Sequence, residues 1–120
     1  MILVAVDDFL FRSKIRTTGK QAGVELTFPR TPDEVLEQAR TLKPSLAIFD
    51  LNSATLAPID TIARMKQDPE LNTIRTLGFV SHVDAARIQA ARDVGTDEVL
   101  ARSAFATQLA DILLASGTRN

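Results

Sequence analysis

The stretch Ile2-Leu3-Val4-Ala5-Val6-Asp7-Asp8, at the start of the chain, places two adjacent carboxylates directly after five apolar residues. A second run, Leu46-Ala47-Ile48-Phe49, ends in the same way at Asp50. Short apolar runs that alternate with helix-like segments are typical of parallel strands buried on both faces. Because ligand sites of such open sheets lie beyond the carboxyl ends of the strands, we expect the three acids to converge at one edge.

Three further segments are predicted to be strands. Leu77-Gly78-Phe79-Val80 stops at Ser81, and Val99-Leu100-Ala101 stops at Arg102. Val24-Glu25-Leu26-Thr27-Phe28 alternates apolar and polar residues, as a half-exposed edge strand does. The chain therefore directs a hydroxyl and a cation, as well as three acids, to the same rim of the predicted sheet.

Helix-like segments separate these strands. The clearest helix start is Thr31-Pro32-Asp33-Glu34, which has the pattern of a capping box with proline at the first helical position. The predicted buried stripe of this helix comprises Val35, Leu36, Ala39 and Leu42. Asp84 is the predicted N-cap of the fourth helix, and Gly23 suits a left-handed ending of the first.

A strand–helix unit that recurs five times predicts an α/β fold, with helices on both faces of a five-stranded parallel sheet. The 120 residues suffice for one domain, spanning residues 1–120. The chain has 14 basic and 15 acidic residues, so its net charge gives no electrostatic attraction to nucleic acid or to an anionic membrane. The N-terminal apolar run is too short for a signal peptide or a membrane span, so a cytoplasmic location is expected.

Asp7 and Asp8 have two interpretations. Adjacent carboxylates near Asp50 repel one another, so neutralisation by a cation is expected, and Asp8→Asn is expected to stabilise the metal-free protein. Oxygen ligands without His or Cys favour a hard ion such as Mg²⁺. The alternative is that one of these acids only caps the helix that follows. The tandem pair together with Asp50 favours the metal site.

The other rim residues also have alternatives. Asp50 is a candidate nucleophile, because a carboxylate can attack phosphorus, but a strand-end Asp also caps turns. Ser81 could bond a phosphoryl oxygen or form a turn, and Arg102 could pair with an anion or be solvated. His82, the single histidine, has no partner residues in the sequence that predict a ligand or a base.

The sequence resembles, across essentially its whole length, the receiver domain of bacterial response regulators, the CheY-like fold. The matching stretches are Ile2-Leu3-Val4-Ala5-Val6-Asp7-Asp8, Leu46-Ala47-Ile48-Phe49-Asp50-Leu51-Asn52, Phe79-Val80-Ser81-His82 and Gly95-Thr96-Asp97-Glu98-Val99-Leu100-Ala101-Arg102. Asp68-Pro69-Glu70-Leu71-Asn72 is similar to the family's link after the third helix. The resemblance implies a flavodoxin-like, doubly wound (βα)5 sheet with strand order 2-1-3-4-5.

The resemblance also implies a phosphoryl switch in a two-component system. Asp50 would accept the phosphoryl group from a histidine kinase or phosphotransfer protein. Mg²⁺ would be held by Asp7, Asp8, Asp50 and the main-chain carbonyl of Asn52. A shift of Ser81 towards the phosphoryl group would signal to a downstream protein. A homodimer through helix 4, strand 5 and helix 5 is a further expectation. The domain would be a switch and not an enzyme.

Several positions depart from the family pattern. Arg102 stands for the usual lysine, Ser103 for the following proline, and Val99 for the aromatic switch residue. Ser53-Ala54-Thr55-Leu56-Ala57 occupies the loop after the phosphoacceptor, where proline and glycine are typical. These departures favour the alternative function, a pseudo-receiver that binds partners without phosphorylation. A magnesium-dependent phosphatase is disfavoured, because Asn52 cannot act as its general acid.

Overall fold

The computed structural model describes residues 1–81 and 84–117, in which five strands and five helices alternate. The strands are β1 (Ile2–Ala5), β2 (Leu26–Thr27), β3 (Leu46–Asp50), β4 (Arg75–Val80) and β5 (Glu98–Ala101). The helices are α1 (Phe9–Ala22), α2 (Pro32–Leu42), α3 (Pro58–Gln67), α4 (Ala85–Asp93) and α5 (Arg102–Gly117). The sheet is entirely parallel with order β2-β1-β3-β4-β5, which confirms the predicted fold class. Within these residues no helix is both long and apolar enough to span a bilayer.

Each face of the sheet is covered by its own hydrophobic cluster, as β1 illustrates. Leu3 and Ala5 pack into the cluster that contains the buried residues of α2, α3 and α4. Ile2 and Val4 pack into the cluster on the other face, which contains the buried residues of α1 and α5. Because both faces are covered, β1 and residues 46–49 of β3 are continuous apolar runs, the pattern from which these strands were predicted.

The predicted caps are largely confirmed. The Thr31 hydroxyl accepts a hydrogen bond from the Glu34 N–H at 3.1 Å, and Asp84 caps α4. The Glu34 carboxylate reaches back to the N–H of Arg30, one residue before the position that a capping box predicts. The expectation that Leu42 is buried was wrong, since 41% of it is exposed. Leu42 is the last residue of α2, so no following turn covers it.

The second strand is shorter than its alternating pattern predicts. The Val24 N–H bonds to the carbonyl of Gly19, so this residue closes α1 and does not join the sheet. Glu25 contributes only its carbonyl, which accepts a bond from the N–H of Ile2 at 2.9 Å. Regular pairing is therefore confined to the two residues of β2.

The strand register sets the position of the site. Ala5 is paired with Phe49, and the next residue of β3, Asp50, is paired with Phe79 of β4. Val80 is in turn paired with Ala101. The carboxyl ends of β1, β3, β4 and β5 therefore lie at the same edge of the sheet, and the residues that follow them meet there.

Candidate functional site

Asp50 is the buried carboxylate at the centre of this edge. It is the last residue of β3 and is only 6% exposed. Its Oδ1 accepts a hydrogen bond from the Asn52 N–H at 2.9 Å. Burial raises the pKa of Asp50, and the hydrogen bond from Asn52 lowers it. The negative charges of Asp7 and Asp8 raise it further. Asp50 is thus a buried carboxylate with two acidic neighbours.

Asp7 is held by two hydroxyls of the loop that follows β3. Its Oδ2 accepts hydrogen bonds from Ser53 Oγ at 2.7 Å and from Thr55 Oγ1 at 2.8 Å. Burial alone would raise the pKa of Asp7, but these bonds outweigh it and hold the pKa below its ordinary value. The sequence reasoning missed both hydroxyls, although it singled out this loop for its departure from the family pattern.

Asp8 has the helix-capping role that the sequence offered as an alternative, and it also forms an ion pair. Its Oδ1 caps α1 by accepting from the Phe11 N–H at 3.0 Å, and its Oδ2 lies 3.2 Å from Nη2 of Arg102. The bond from Phe11 and the contact with Arg102 lower the pKa of Asp8. The fold therefore favours the ionised form, which reverses the expectation that Asp8→Asn stabilises the metal-free protein.

Arg102 is a bound cation and not a solvated strand-end residue. Besides the ion pair with Asp8, its guanidinium carbon lies 4.3 Å from the ring centroid of Phe11. Its Nη1 is 3.5 Å from Ser81 Oγ, at the outer limit of a hydrogen bond. The cation thus bridges the ends of β1, β4 and β5. Arg102 forms its ion pair with Asp8. Its positive charge also opposes the rise in the pKa of Asp50.

Asn52 connects the ends of β3 and β4. Its side-chain oxygen accepts a hydrogen bond from the Ser81 N–H at 2.8 Å, while its own N–H bonds to Asp50. Arg87 of α4 adds a second link, because its Nη1 donates to the carbonyl of Leu51 at 2.8 Å. Neither the contact between Asn52 and Ser81 nor the contact between Arg87 and Leu51 was predicted from the sequence. His82 lies outside the described residues.

The donor chemistry fits a divalent cation, but the side chains are arranged without one. Carboxylate and carbonyl oxygens are the ligands that Mg²⁺ and Mn²⁺ prefer. Within residues 1–81 and 84–117, however, no three acidic, His or Cys side chains are grouped to hold an ion. In this arrangement hydroxyls engage Asp7 and Arg102 engages Asp8. A cation bound to Asp8 Oδ2 would compete with Arg102 for that oxygen.

Comparison with known proteins agrees with this geometry. No protein-family profile matches the chain, and no curated protein sequence does. Among solved structures, the signal receiver domain of a response regulator from Bermanella marisrubri has a TM-score of 0.81 at 23% identity, and the match covers 96% of this chain and 95% of that one. The chain has the CheY-like receiver-domain fold.

Two other structures with the receiver fold are those of a metal-bound and of a phosphorylated response regulator. The Mn²⁺-bound response regulator Rcp1 has a TM-score of 0.77 at 16% identity, with 99% of this chain and 96% of that chain covered. The phosphorylated cyanobacterial phytochrome response regulator RcpA has a TM-score of 0.73 at 21% identity, with 95% and 88% covered. At these identities the likeness establishes the fold.

Proposed function

We propose that this chain is the receiver domain of a cytoplasmic two-component or phosphorelay system and accepts a phosphoryl group on Asp50 with the help of Mg²⁺. The observation that carries the proposal is the position of Asp50. It ends the central strand β3, is 6% exposed, and shares its edge of the sheet with Asp7, Asp8 and Arg102. The binding of Mn²⁺ and phosphoryl groups by proteins of the same fold supports this choice.

The chemistry assigns a role to each side chain. An oxygen of Asp50 attacks the phosphorus of a phosphohistidine, the phosphorus–nitrogen bond breaks, and an acyl phosphate forms. The donor is a histidine kinase or a phosphotransfer protein. A divalent cation bound by Asp7, Asp8, Asp50 and the Asn52 carbonyl supplies charge neutralisation. The domain changes state in this reaction and does not turn over a separate substrate.

Ser81 and Arg102 are the proposed phosphoryl-binding groups. They lie 3.5 Å apart at the ends of β4 and β5, beside the nucleophile. When Arg102 leaves Asp8 for the phosphoryl oxygens, the first turn of α5 moves with it. We propose that a partner protein, or a second copy of this chain, reads that change on the face formed by α4, β5 and α5.

A second function, protein binding without phosphorylation, is favoured by one specific observation. Two of the acids of the proposed metal site, Asp7 and Asp8, already have partners within the chain. Two hydroxyls bond to Asp7, and Asp8 has both a backbone donor and the Arg102 guanidinium. Asp7 and Asp8 are thus accommodated by partners within the chain, so the fold does not require a cation at these two acids.

Phosphorylation by acetyl phosphate distinguishes the two functions. With Mg²⁺, the intact mass of the wild-type protein should increase by one phosphoryl group, and the increase should be lost in EDTA and in Asp50→Asn. Asp111→Asn is the matched control, because Asp111 is an exposed acid on α5 that should have no influence on labelling. An unchanged wild-type mass, or labelling that persists in Asp50→Asn, would refute the phosphoryl-accepting function.

A non-covalent mimic tests the conformational step. Beryllium fluoride with Mg²⁺ should shift the backbone amide resonances of Ser81, Arg102 and the first turn of α4. Shifts that extend into β5 would support a working switch, because a ligand moves an equilibrium only when it interacts better with one state. Binding that perturbs only Asp7, Asp8 and Asp50 would favour the second function, protein binding without phosphorylation.

A further inference from the structure

A cavity of about 250 Å³ lies next to Asp7, at the edge of the sheet where β1 ends. It is lined by the residues that follow β1, by Arg12 of α1, by Arg30 in the loop between β2 and α2, and by the loop after β3. Ser81 and Arg102 do not line it, so it is separate from the two proposed phosphoryl-binding groups. Its volume is below the range of about 300–1,000 Å³ that is typical of drug-sized ligands, so a compact ligand suits it.

Three arginines lie at or beside this cavity without an acidic partner. Arg12 is half-buried, whereas Arg16 and Arg30 are exposed. None of the three forms a salt bridge within residues 1–81 and 84–117. Nε of Arg12 is buried and has no hydrogen-bond partner in the same part of the chain. The protein therefore leaves this guanidinium short of both an opposite charge and a hydrogen-bond acceptor.

Phe28 explains how these like charges come together. The guanidinium carbons of Arg12 and Arg16 lie 5.6 Å and 4.5 Å from the centroid of its ring, as cation–π contacts do. Arg30 follows Phe28 by two residues, with the buried Pro29 between them. Burial lowers the pKa of Arg12, and the positive charges of Arg30 and Arg16 lower it further. Their repulsion costs free energy, which a bound anion would offset.

One carboxylate, that of Asp7, also lines the cavity, but it does not neutralise the arginines. Its Oδ2 accepts hydrogen bonds from two hydroxyls of the loop after β3, and its charge opposes the fall in the pKa of Arg12 without cancelling it. The Glu34 carboxylate bonds to the backbone N–H of Arg30 and forms no salt bridge with its guanidinium. Two lining cations and a third beside them therefore leave the cavity positively charged.

We infer that this cavity binds the diphosphate group of a small molecule, either inorganic diphosphate or a nucleotide. Guanidinium groups pair with phosphate oxygens in bidentate geometry and stay charged at neutral pH. Arg12 and Arg30 contact the diphosphate from α1 and from the loop before α2, and Arg16 adds its charge from the next turn of α1. Several negative charges on one compact ligand match three clustered cations better than a single charge does. The inference does not rest on the proposed phosphorylation, because neither Asp50 nor a metal takes part.

Inorganic diphosphate is the first probe, titrated in metal-free buffer at constant ionic strength and followed by backbone amide resonances. We expect saturable shifts of Arg12 and Arg30, with a Kd on the order of 0.1–1 mM. Methanesulfonate, a singly charged oxyanion, should bind at least about fivefold more weakly, because the Coulomb attraction grows with the charge of the ligand. Shifts centred on Ser81 and Arg102, or equal binding of the two anions, would overturn the inference.

ADP distinguishes the two sources of the diphosphate group under the same conditions. Binding of ADP that is no tighter than that of inorganic diphosphate would assign the site to the inorganic ion. A Kd at least about fivefold lower would assign the site to a nucleotide, because the ribose and the base then add contacts of their own.

Arginine replacements locate the probe. Arg30→Gln removes an exposed cation, preserves the fold and should weaken diphosphate binding by about 2- to 5-fold. Arg12→Gln should weaken it by at least as much, because Arg12 is less exposed. Arg92→Gln is the matched control, since Arg92 is an exposed arginine of α4 on the opposite face of the sheet from α1. Binding that Arg30→Gln leaves unchanged, or that Arg92→Gln weakens equally, would refute this site whether or not Arg12→Gln folds.

Discussion

Replacing Arg102 by glutamine should change two measurable quantities in opposite directions. The metal-free protein should lose stability, because the variant lacks the ion pair with Asp8 and the contact over the ring of Phe11. The affinity for Mg²⁺ should rise, because the guanidinium and the metal compete for the same Asp8 carboxylate. A role of Arg102 in structure alone predicts only the first change.

The magnitudes follow from the contacts. The Arg102 and Asp8 side chains are 35% and 37% exposed, so their ion pair contributes about 0.2–1 kcal/mol after solvent screening. The guanidinium at 4.3 Å from the Phe11 centroid adds about 0.5–1 kcal/mol. The free energy of unfolding should therefore fall by about 1 kcal/mol. Two cations that compete for one carboxylate repel each other by on the order of 1 kcal/mol at a water-like dielectric, so the Kd for Mg²⁺ should fall by about 3- to 10-fold in the variant.

Urea unfolding with and without millimolar MgCl2 measures both effects, because a ligand of the native state stabilises by mass action. Arg16→Gln is the matched control. Its guanidinium lies 4.5 Å from the Phe28 centroid, so the variant loses a similar contact with no effect on the acidic site. If Mg²⁺ stabilises Arg102→Gln no more than it stabilises wild type, the competition between Arg102 and the metal does not exist.

Three further variants test other parts of the structure. Asp8→Asn should lower the metal-free stability by up to about 1 kcal/mol in urea unfolding, because it loses its ion pair while Asn still caps the helix. Burial alone would raise the pKa of Asp97, but hydrogen bonds from Lys66 and the adjacent strand hold it below 3.8. Asp97→Asn should therefore cost about 1 kcal/mol at neutral pH, a difference from wild type that shrinks as acid titration proceeds below pH 3.8 through the folded pKa. Gly78→Ala should lower stability in thermal melts by about 1–3 kcal/mol, because the new Cβ would lie 2.8 Å from the buried side chain of Leu51. Equal stability of any variant and wild type would contradict its argument.

The central strands could be predicted from the sequence because their burial is complete. Where both faces of a strand are covered, apolar residues are favoured, and β3 shows an unbroken apolar run from Leu46 to Phe49. The edge strand β2 was predicted too long, because the N–H of Val24 is used by the end of α1. An alternating apolar and polar sequence indicates which side chains are buried, but it does not indicate which backbone groups form hydrogen bonds.

The acids of the site were predictable and their partners were not. Asp50 ends an apolar run, so the strand geometry alone assigns it to the edge of the sheet. Ser53 and Thr55 reach Asp7 only because the loop after β3 turns their hydroxyls inward. Arg102 has a long side chain, and only the packed structure shows that it pairs with Asp8 and does not pair with Asp50.

The ion pair between Arg102 and Asp8 also links the two ligands of the proposed switch. While Asp8 holds the guanidinium, Arg102 is not free to pair with a phosphoryl group. A metal that takes Asp8 releases Arg102, and a phosphoryl group that takes Arg102 frees Asp8. Each ligand therefore removes the competitor of the other, and by linkage the two must strengthen one another's binding. A receiver built in this way needs both ligands together, because either one alone has to break the ion pair unaided.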